Sequence, residues 1–117
     1  MADGVRLAAR MWLPVDAEDD PVPAILEHIP YRKRDRHASQ DLVHHPWFAA
    51  HGYAGVRLDI RGSGESEGLW RDEYLVQEQD DAVAAIAWLA EQPWCSGAVG
   101  MMGLSWGGFS ALQVAAR

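Results

Sequence analysis

Apolar residues recur along this chain in two rhythms, one of period two and one near 3.6, and the two take turns from the N-terminus onward. Val5 to Leu13 reads as a strand with imperfect alternation, and Ala24 to Ile29 as a second. Between them the acidic, proline-bounded stretch Val15 to Pro23 predicts a turn. A polar loop is expected from Pro30 to His45, then a short helix over Pro46 to His51 with its proline in the first turn and Gly52 as its stop. Val56, Leu58 and Ile60 alternate with Arg57 and Asp59, which predicts a strand over Tyr53 to Ile60 and a turn through Gly62, Ser63, Gly64 and Gly68. From Leu75 to Glu91 the positions Val76, Val83, Ile86 and Ala90 fall on one helical face. Glu78, Asp80 and Asp81 lie toward the start of that helix, where carboxylates suit its dipole, and Pro93 ends it. Ala98 to Met102 is a continuously apolar strand, and Gly108, Phe109, Leu112 and Ala116 continue as a helix with one apolar face. Strands separated by helices, the last strand apolar throughout, predict an α/β class with a mostly parallel sheet covered on both faces.

At 117 residues and 49% hydrophobic, the chain can bury about two-thirds of its unfolded surface and belongs with globular proteins. Residues 1–117 read as one domain or the N-terminal part of one, without an internal repeat or linker. A net charge of -7, from 17 acidic and 10 basic residues, repels phosphate and argues against nucleic-acid or anionic-membrane partners. No run approaches a membrane span, and Met1-Ala2-Asp3-Gly4 lacks a basic-then-apolar signal segment. The lone Cys95 makes no disulfide framework and is expected as a packed thiol, so the chain reads as cytoplasmic.

The chemistry concentrates at Gly103-Leu104-Ser105-Trp106-Gly107, a Gly-x-Ser-x-Gly segment directly after the apolar strand and before a helix. A sharp strand-to-helix turn at that spacing strains the serine backbone and exposes its oxygen, while the flanking glycines let neighbouring chain approach without a Cβ clash. The competing assignment is a helix N-cap serine with glycines for packing. A serine nucleophile also needs a base and a group to orient that base, in chain order Ser, then Asp or Glu, then His. His28, His37, His44, His45 and His51 all precede Ser105, and no residue from Trp106 to Arg117 is acidic or a histidine, so no complete triad is present.

Other features carry weaker signals. Gly62, Gly64 and Gly68 follow a strand, but the third glycine is one position late for a dinucleotide loop, and Glu65 and Glu67 would repel a pyrophosphate. A turn in which Asp59 and Arg61 pair with nearby groups is expected instead. Arg32, Lys33, Arg34 and Arg36, interleaved with Asp35, read as a solvated loop. His44 and His45 are adjacent and diverge on any regular element, which argues against a metal site. The six tryptophans are expected mostly in the core, with Trp106 placed to line an acyl pocket.

Four blocks in order resemble the X-Pro dipeptidyl-peptidase and cocaine-esterase-like branch of the α/β-hydrolases. They are Pro30-Tyr31-Arg32-Lys33-Arg34-Asp35, Asp59-Ile60-Arg61-Gly62-Ser63-Gly64-Glu65-Ser66-Glu67-Gly68, Gln92-Pro93-Trp94-Cys95-Ser96-Gly97 and Gly103-Leu104-Ser105-Trp106-Gly107-Gly108. The similarity spans almost the whole chain but only the family's N-terminal part, up to the helix after the nucleophile. It implies an α/β-hydrolase sheet cut after that helix, with Ser105 as the nucleophile. It further implies the backbone N–H of Trp106 as one oxyanion donor and the Tyr31 hydroxyl as the second. By the same resemblance the parent is a serine hydrolase acting on a small-molecule ester or peptide substrate through an acyl-serine, with no cofactor and no metal. The alternative is a non-catalytic fragment or interaction module with an open sheet edge along Ala98 to Met102.

Overall fold

The computed structural model describes residues 1–35 and 37–117. Four strands, β1 (Ala9–Trp12), β2 (Val22–Ile29), β3 (Ala54–Asp59) and β4 (Cys95–Met101), form one sheet in the order β1-β3-β2-β4. β1 runs antiparallel to β3, and β2 runs parallel to both β3 and β4. Three helices connect them: α1 (Ala38–Ala50), α2 (Val76–Ala90) and α3 (Trp106–Ala115). Leu26 of β2 and Val56 and Leu58 of β3 pack with Ala85 and Leu89 of α2 in the main apolar core. The alternate residues of the same strands, Glu27 and Arg57, meet Asp41 and His45 of α1, so α1 covers the opposite face.

The mostly parallel α/β sheet agrees with the sequence pattern, and several local expectations need correction. β1 begins at Ala9, not Val5; the preceding segment is tied instead to the loop after β3, through Ala8 N–H to Ser66 Oγ at 2.9 Å. β2 begins at Val22, inside the stretch read as a turn, and its pairing with β4 shifts register between Val22 and Ala24. Pro23 lies at that shift, where a residue without an N–H costs no ladder bond. β4 starts at Cys95, ahead of Ala98, and is the sheet's edge, with Ser96, Gly97 and Ala98 exposed; this strand is not covered on both faces.

The largest correction is α1, which begins at Ala38 and holds Pro46 in its interior, not in its first turn. Proline there costs about 3 kcal/mol in intrinsic preference. Against that, the helix seats Asp41 and His45, both buried, on Arg57 and Glu27, and His45 stacks flat on Trp12 at 4.6 Å. Gly52, at φ 80°, ends the helix as expected: its N–H and that of Tyr53 bond the carbonyls of Ala49 and Phe48, closing the last turn.

The remaining helices depart from the faces expected to be buried, α2 in part, since Ile86 still packs on the core, and α3 at Phe109 and Leu112. In α2 the inward residues are Glu78, Asp81, Ala82, Ala85 and Leu89, while Val76 and Val83 face solvent. The two acids turn inward because Trp106 and Arg61 receive them. In α3, Phe109 and Leu112 are exposed and Gly107 and Ser110 are buried, because small residues let this helix approach β2 closely.

β3 is buried at all six positions, Arg57 and Asp59 included, as a strand covered on both faces requires. Among the tryptophans only Trp94 is buried. Cys95 is a buried thiol, as expected.

Candidate active site

β4 ends at Met101, the Met102 N–H still bonds Leu26 O at 3.0 Å, and α3 starts at Trp106 after four intervening residues. Ser105 makes the bend between them, at φ 84° and ψ -102°, outside the conformations side-chain-bearing residues favour. The glycine spacing has a direct steric cause. A Cβ on Gly103 would lie 2.3 Å from the carbonyl carbon of Gly107, and one on Gly107 would lie 2.6 Å from Ile29 Cγ2. Ser105 holds the N-cap position of α3, but it is exposed and its side chain makes no capping hydrogen bond, so among the described residues the hydroxyl is uncommitted.

Tyr31 stands after β2, in a loop gripped on both sides. The Ser63 hydroxyl donates to Pro30 O at 2.7 Å, and the Lys33 N–H donates to Asp59 Oδ1 at 2.7 Å. Between them Arg32 takes φ 59°. The Tyr31 ring stacks on His37 at 4.8 Å, and both rings line the same cleft of about 530 Å³ as Ser105, together with Gln40 and His44. The chain thus gathers Ser105 and Tyr31, 74 positions apart, at one end of the sheet. Trp106, the next residue after Ser105, turns its indole the other way, into a second cleft of about 470 Å³ shared with Tyr31 and Trp70. Its Nε1–H donates to Glu78 Oε2 at 3.0 Å.

Electrostatics explain why these loops hold their shape. Lys33 is buried, not solvated, because its ammonium pairs with Asp59 at 3.0 Å and with Glu65. Asp59 also accepts the Glu65 N–H at 3.1 Å, and Arg61 donates to both carboxylate oxygens of Asp81 at 2.7 Å. The loop through Gly62, Gly64 and Gly68 is therefore organised around a carboxylate, the expected turn in which Asp59 and Arg61 find partners. Glu65 titrates below the ordinary range because Lys33 bonds it, and Glu67 because Arg6 does. Arg36 of the basic cluster lies outside the described residues.

Sequence reading missed the buried cluster beside the Ser105 cleft. Arg57 Nη1 lies 2.9 Å from Glu27 Oε2 and Arg57 Nε 3.2 Å from Asp41 Oδ2, with His45 Nε2 3.6 Å from Glu27. Burial pushes Glu27 up, but His45 and Arg57 outweigh it and hold the carboxyl below its ordinary value. For Asp41 burial wins over the attraction of Arg57 and His45, and the carboxyl sits high. Glu27, Asp41 and His45 each offer a ligand atom within 4.8 Å of the others, but the Arg57 guanidinium already stands on both carboxylates, where its charge opposes a cation. No helix among the described residues is long and apolar enough to cross a membrane.

A serine at positive φ, on the bend that joins a parallel strand to the following helix, defines an α/β-hydrolase. Residues 3–117 match the X-Pro dipeptidyl-peptidase (S15 family), and the chain belongs to that family. It is 42% identical over 116 residues to the cocaine esterase of Rhodococcus sp. (strain MB1 Bresler), covering 98% of this chain and 20% of the esterase. Among solved structures, a CocE/NonD family hydrolase from Staphylococcus aureus superposes with a TM-score of 0.83 at 24% identity, over 98% of this chain and 23% of that one. An α-amino acid ester hydrolase matches with a TM-score of 0.73 at 29% identity, over 94% of this chain and 20% of its own. The chain thus spans about a fifth of the length of these relatives.

Proposed function

We propose that residues 1–117 carry the nucleophile and oxyanion groups of a serine hydrolase that cleaves an ester or an X-Pro-type peptide bond through an acyl-serine. The observation that carries this reading is the uncommitted, exposed Ser105 hydroxyl at φ 84°, in one cleft with Tyr31. Ser105 Oγ attacks the substrate carbonyl carbon while its proton passes to a histidine. The negative charge on the former carbonyl oxygen is held by the Tyr31 hydroxyl and the Trp106 N–H. Collapse of that intermediate expels the alcohol or amine, which takes the proton from the histidine, and water then releases the acid by the reverse sequence. No acid or histidine follows Ser105 within residues 1–117, so this reading requires the histidine and its acidic partner to be supplied from outside them. The similarity to a protein named cocaine esterase favours an ester substrate. Turnover of p-nitrophenyl acetate by the full-length protein carrying this segment, compared with Ser105→Ala, tests the proposal. A loss of about 10⁴-fold or more is expected, and residues 1–117 alone are expected to stay at background. Equal rates in Ser105→Ala and wild type would sink it.

A second reading follows from the outer edge of β4, which pairs with no strand among the described residues. On that reading the segment is a non-catalytic interaction module that recruits a partner strand. Serine-dependent turnover by the full-length protein excludes it.

A further inference from the structure

We propose that Glu78 is a positioning residue, which fixes the backbone N–H of Trp106 by holding the indole of the same residue. The inference rests on the hydrolase reading above and adds to it a group that touches neither substrate nor nucleophile. Trp106 is the first residue of α3, where backbone N–H groups have no partner inside the helix and are free to point at an oxyanion. The direction of that N–H is set by the Ser105 backbone, whose φ of 84° costs on the order of 1–3 kcal/mol and persists only where the surroundings over-determine it. The close approach of Gly103 to Gly107 is one such restraint, and the side chain of Trp106 offers a second.

Glu78 supplies it. Its Oε2 accepts the indole N–H at 3.0 Å, across the gap between α2 and α3. Glu78 is buried, 8% exposed, and Oε1 has no hydrogen-bond partner among the described residues. No cation pairs with Glu78 among the described residues, so Trp106 is the one side chain that its carboxylate bonds. An unpaired acid in that position is costly, and a leucine would fill the space without the penalty. What the carboxylate contributes is direction. Its place in the first turn of α2 meets the positive end of the helix dipole, which compensates part of the desolvation.

Aromatic packing completes the clamp. Tyr74 lies against the indole at 4.6 Å and Trp70 meets it edge-on at 5.4 Å. Tyr74 is itself at φ 58°. Among the described residues, the non-glycine positions with positive φ are Arg32, directly after Tyr31, Ser105, directly before Trp106, and Tyr74, packed on Trp106. All the backbone strain of this kind among the described residues adjoins the two groups proposed to hold the oxyanion.

The test uses the full-length protein carrying this segment. It compares wild type, Ser105→Ala, Glu78→Ala, Glu78→Gln, Trp106→Phe and the Glu78→Ala/Trp106→Phe double variant. Readouts are kcat and KM for p-nitrophenyl acetate, the rate of Ser105 labelling by a fluorophosphonate, and the melting temperature. Glu78→Ala and Trp106→Phe are each expected to lower kcat and the labelling rate about 10- to 100-fold, with KM within about twofold. The double variant should fall no further than the worse single one. Glu78→Gln keeps an acceptor for the indole and should retain kcat within about threefold. If Glu78→Ala does not fold, Trp106→Phe and Glu78→Gln decide alone. Unchanged kcat in Trp106→Phe, additive losses in the double variant, or a Glu78→Gln as impaired as Glu78→Ala overturns the inference while leaving the hydrolase reading intact. Activity that survives Ser105→Ala overturns both.

Discussion

Gly107→Ala separates the packing of the Ser105 bend from its stability. The added Cβ would lie 2.6 Å from Ile29 Cγ2, whereas carbon atoms rest about 3.5–4.0 Å apart, so the contact is short by roughly 1 Å. Ile29 is 1% exposed and β-branched, which limits its rotation, and it lines the Ser105 cleft, so relief of the contact moves either the start of α3 or the wall of that cleft. Overpacking of this kind costs about 1–3 kcal/mol. Alanine within a helix regains about 1 kcal/mol over glycine, leaving a net loss of about 0–2 kcal/mol. Activity is far more sensitive: a shift of about 1 Å in reacting groups can cost about 10²-fold. The full-length variant should therefore lose no more than about 2 kcal/mol of unfolding free energy, while its Ser105-dependent kcat falls to about one hundredth. Wild-type kcat with wild-type stability would refute the steric argument. So would a stability loss with kcat unchanged, because the strain would then have been absorbed away from Ser105 and Trp106.

Three further outcomes follow from the same geometry. Tyr31→Phe removes a hydroxyl without altering the ring that stacks on His37, and kcat for an activated ester should fall about 10²- to 10³-fold with KM little changed; unchanged turnover removes Tyr31 from the site. Burial holds the His28 imidazole near 4, against an ordinary 6.5, with Asp81 opposing the shift. Below 6.5 the unfolded chain takes up a proton that the folded one refuses, so stability is lost as pH drops toward 4, by up to about 3 kcal/mol. Asp41, whose carboxyl sits high, works in the opposite sense, and denaturation of His28→Leu across this range should show the His28 limb removed. Asp59→Asn takes charge from a buried carboxylate that receives the Lys33 ammonium at 3.0 Å; Lys33 keeps Glu65, so a loss of about 2 kcal/mol is expected, below the 3–5 typical of a broken buried pair. Equal denaturation midpoints for Asp59→Asn and wild type would contradict that ledger.

The bend at Ser105 was readable because its cause is local: Gly103 and Gly107 lie within four residues of one another and exclude each other's side chains. The central strand at Tyr53 to Ile60, the helix ending before Pro93 and the stop at Gly52 were readable for the same reason, since alternation, proline and positive φ act within a few residues. Residue order alone also placed the chain in the α/β class. Long-range partners decided what these signals could not reach. Pro46 entered a helix because Asp41 and His45 meet Arg57 and Glu27 on the face of the sheet that α1 covers. Lys33 left solvent because Asp59, 26 positions away, receives it. Glu78 and Asp81 turned a polar stripe inward because Trp106 and Arg61 were there to pair with it. Local sterics depend on neighbours in the chain and can be read from it. The burial of a charge depends on a partner in space, and only the folded arrangement supplies one.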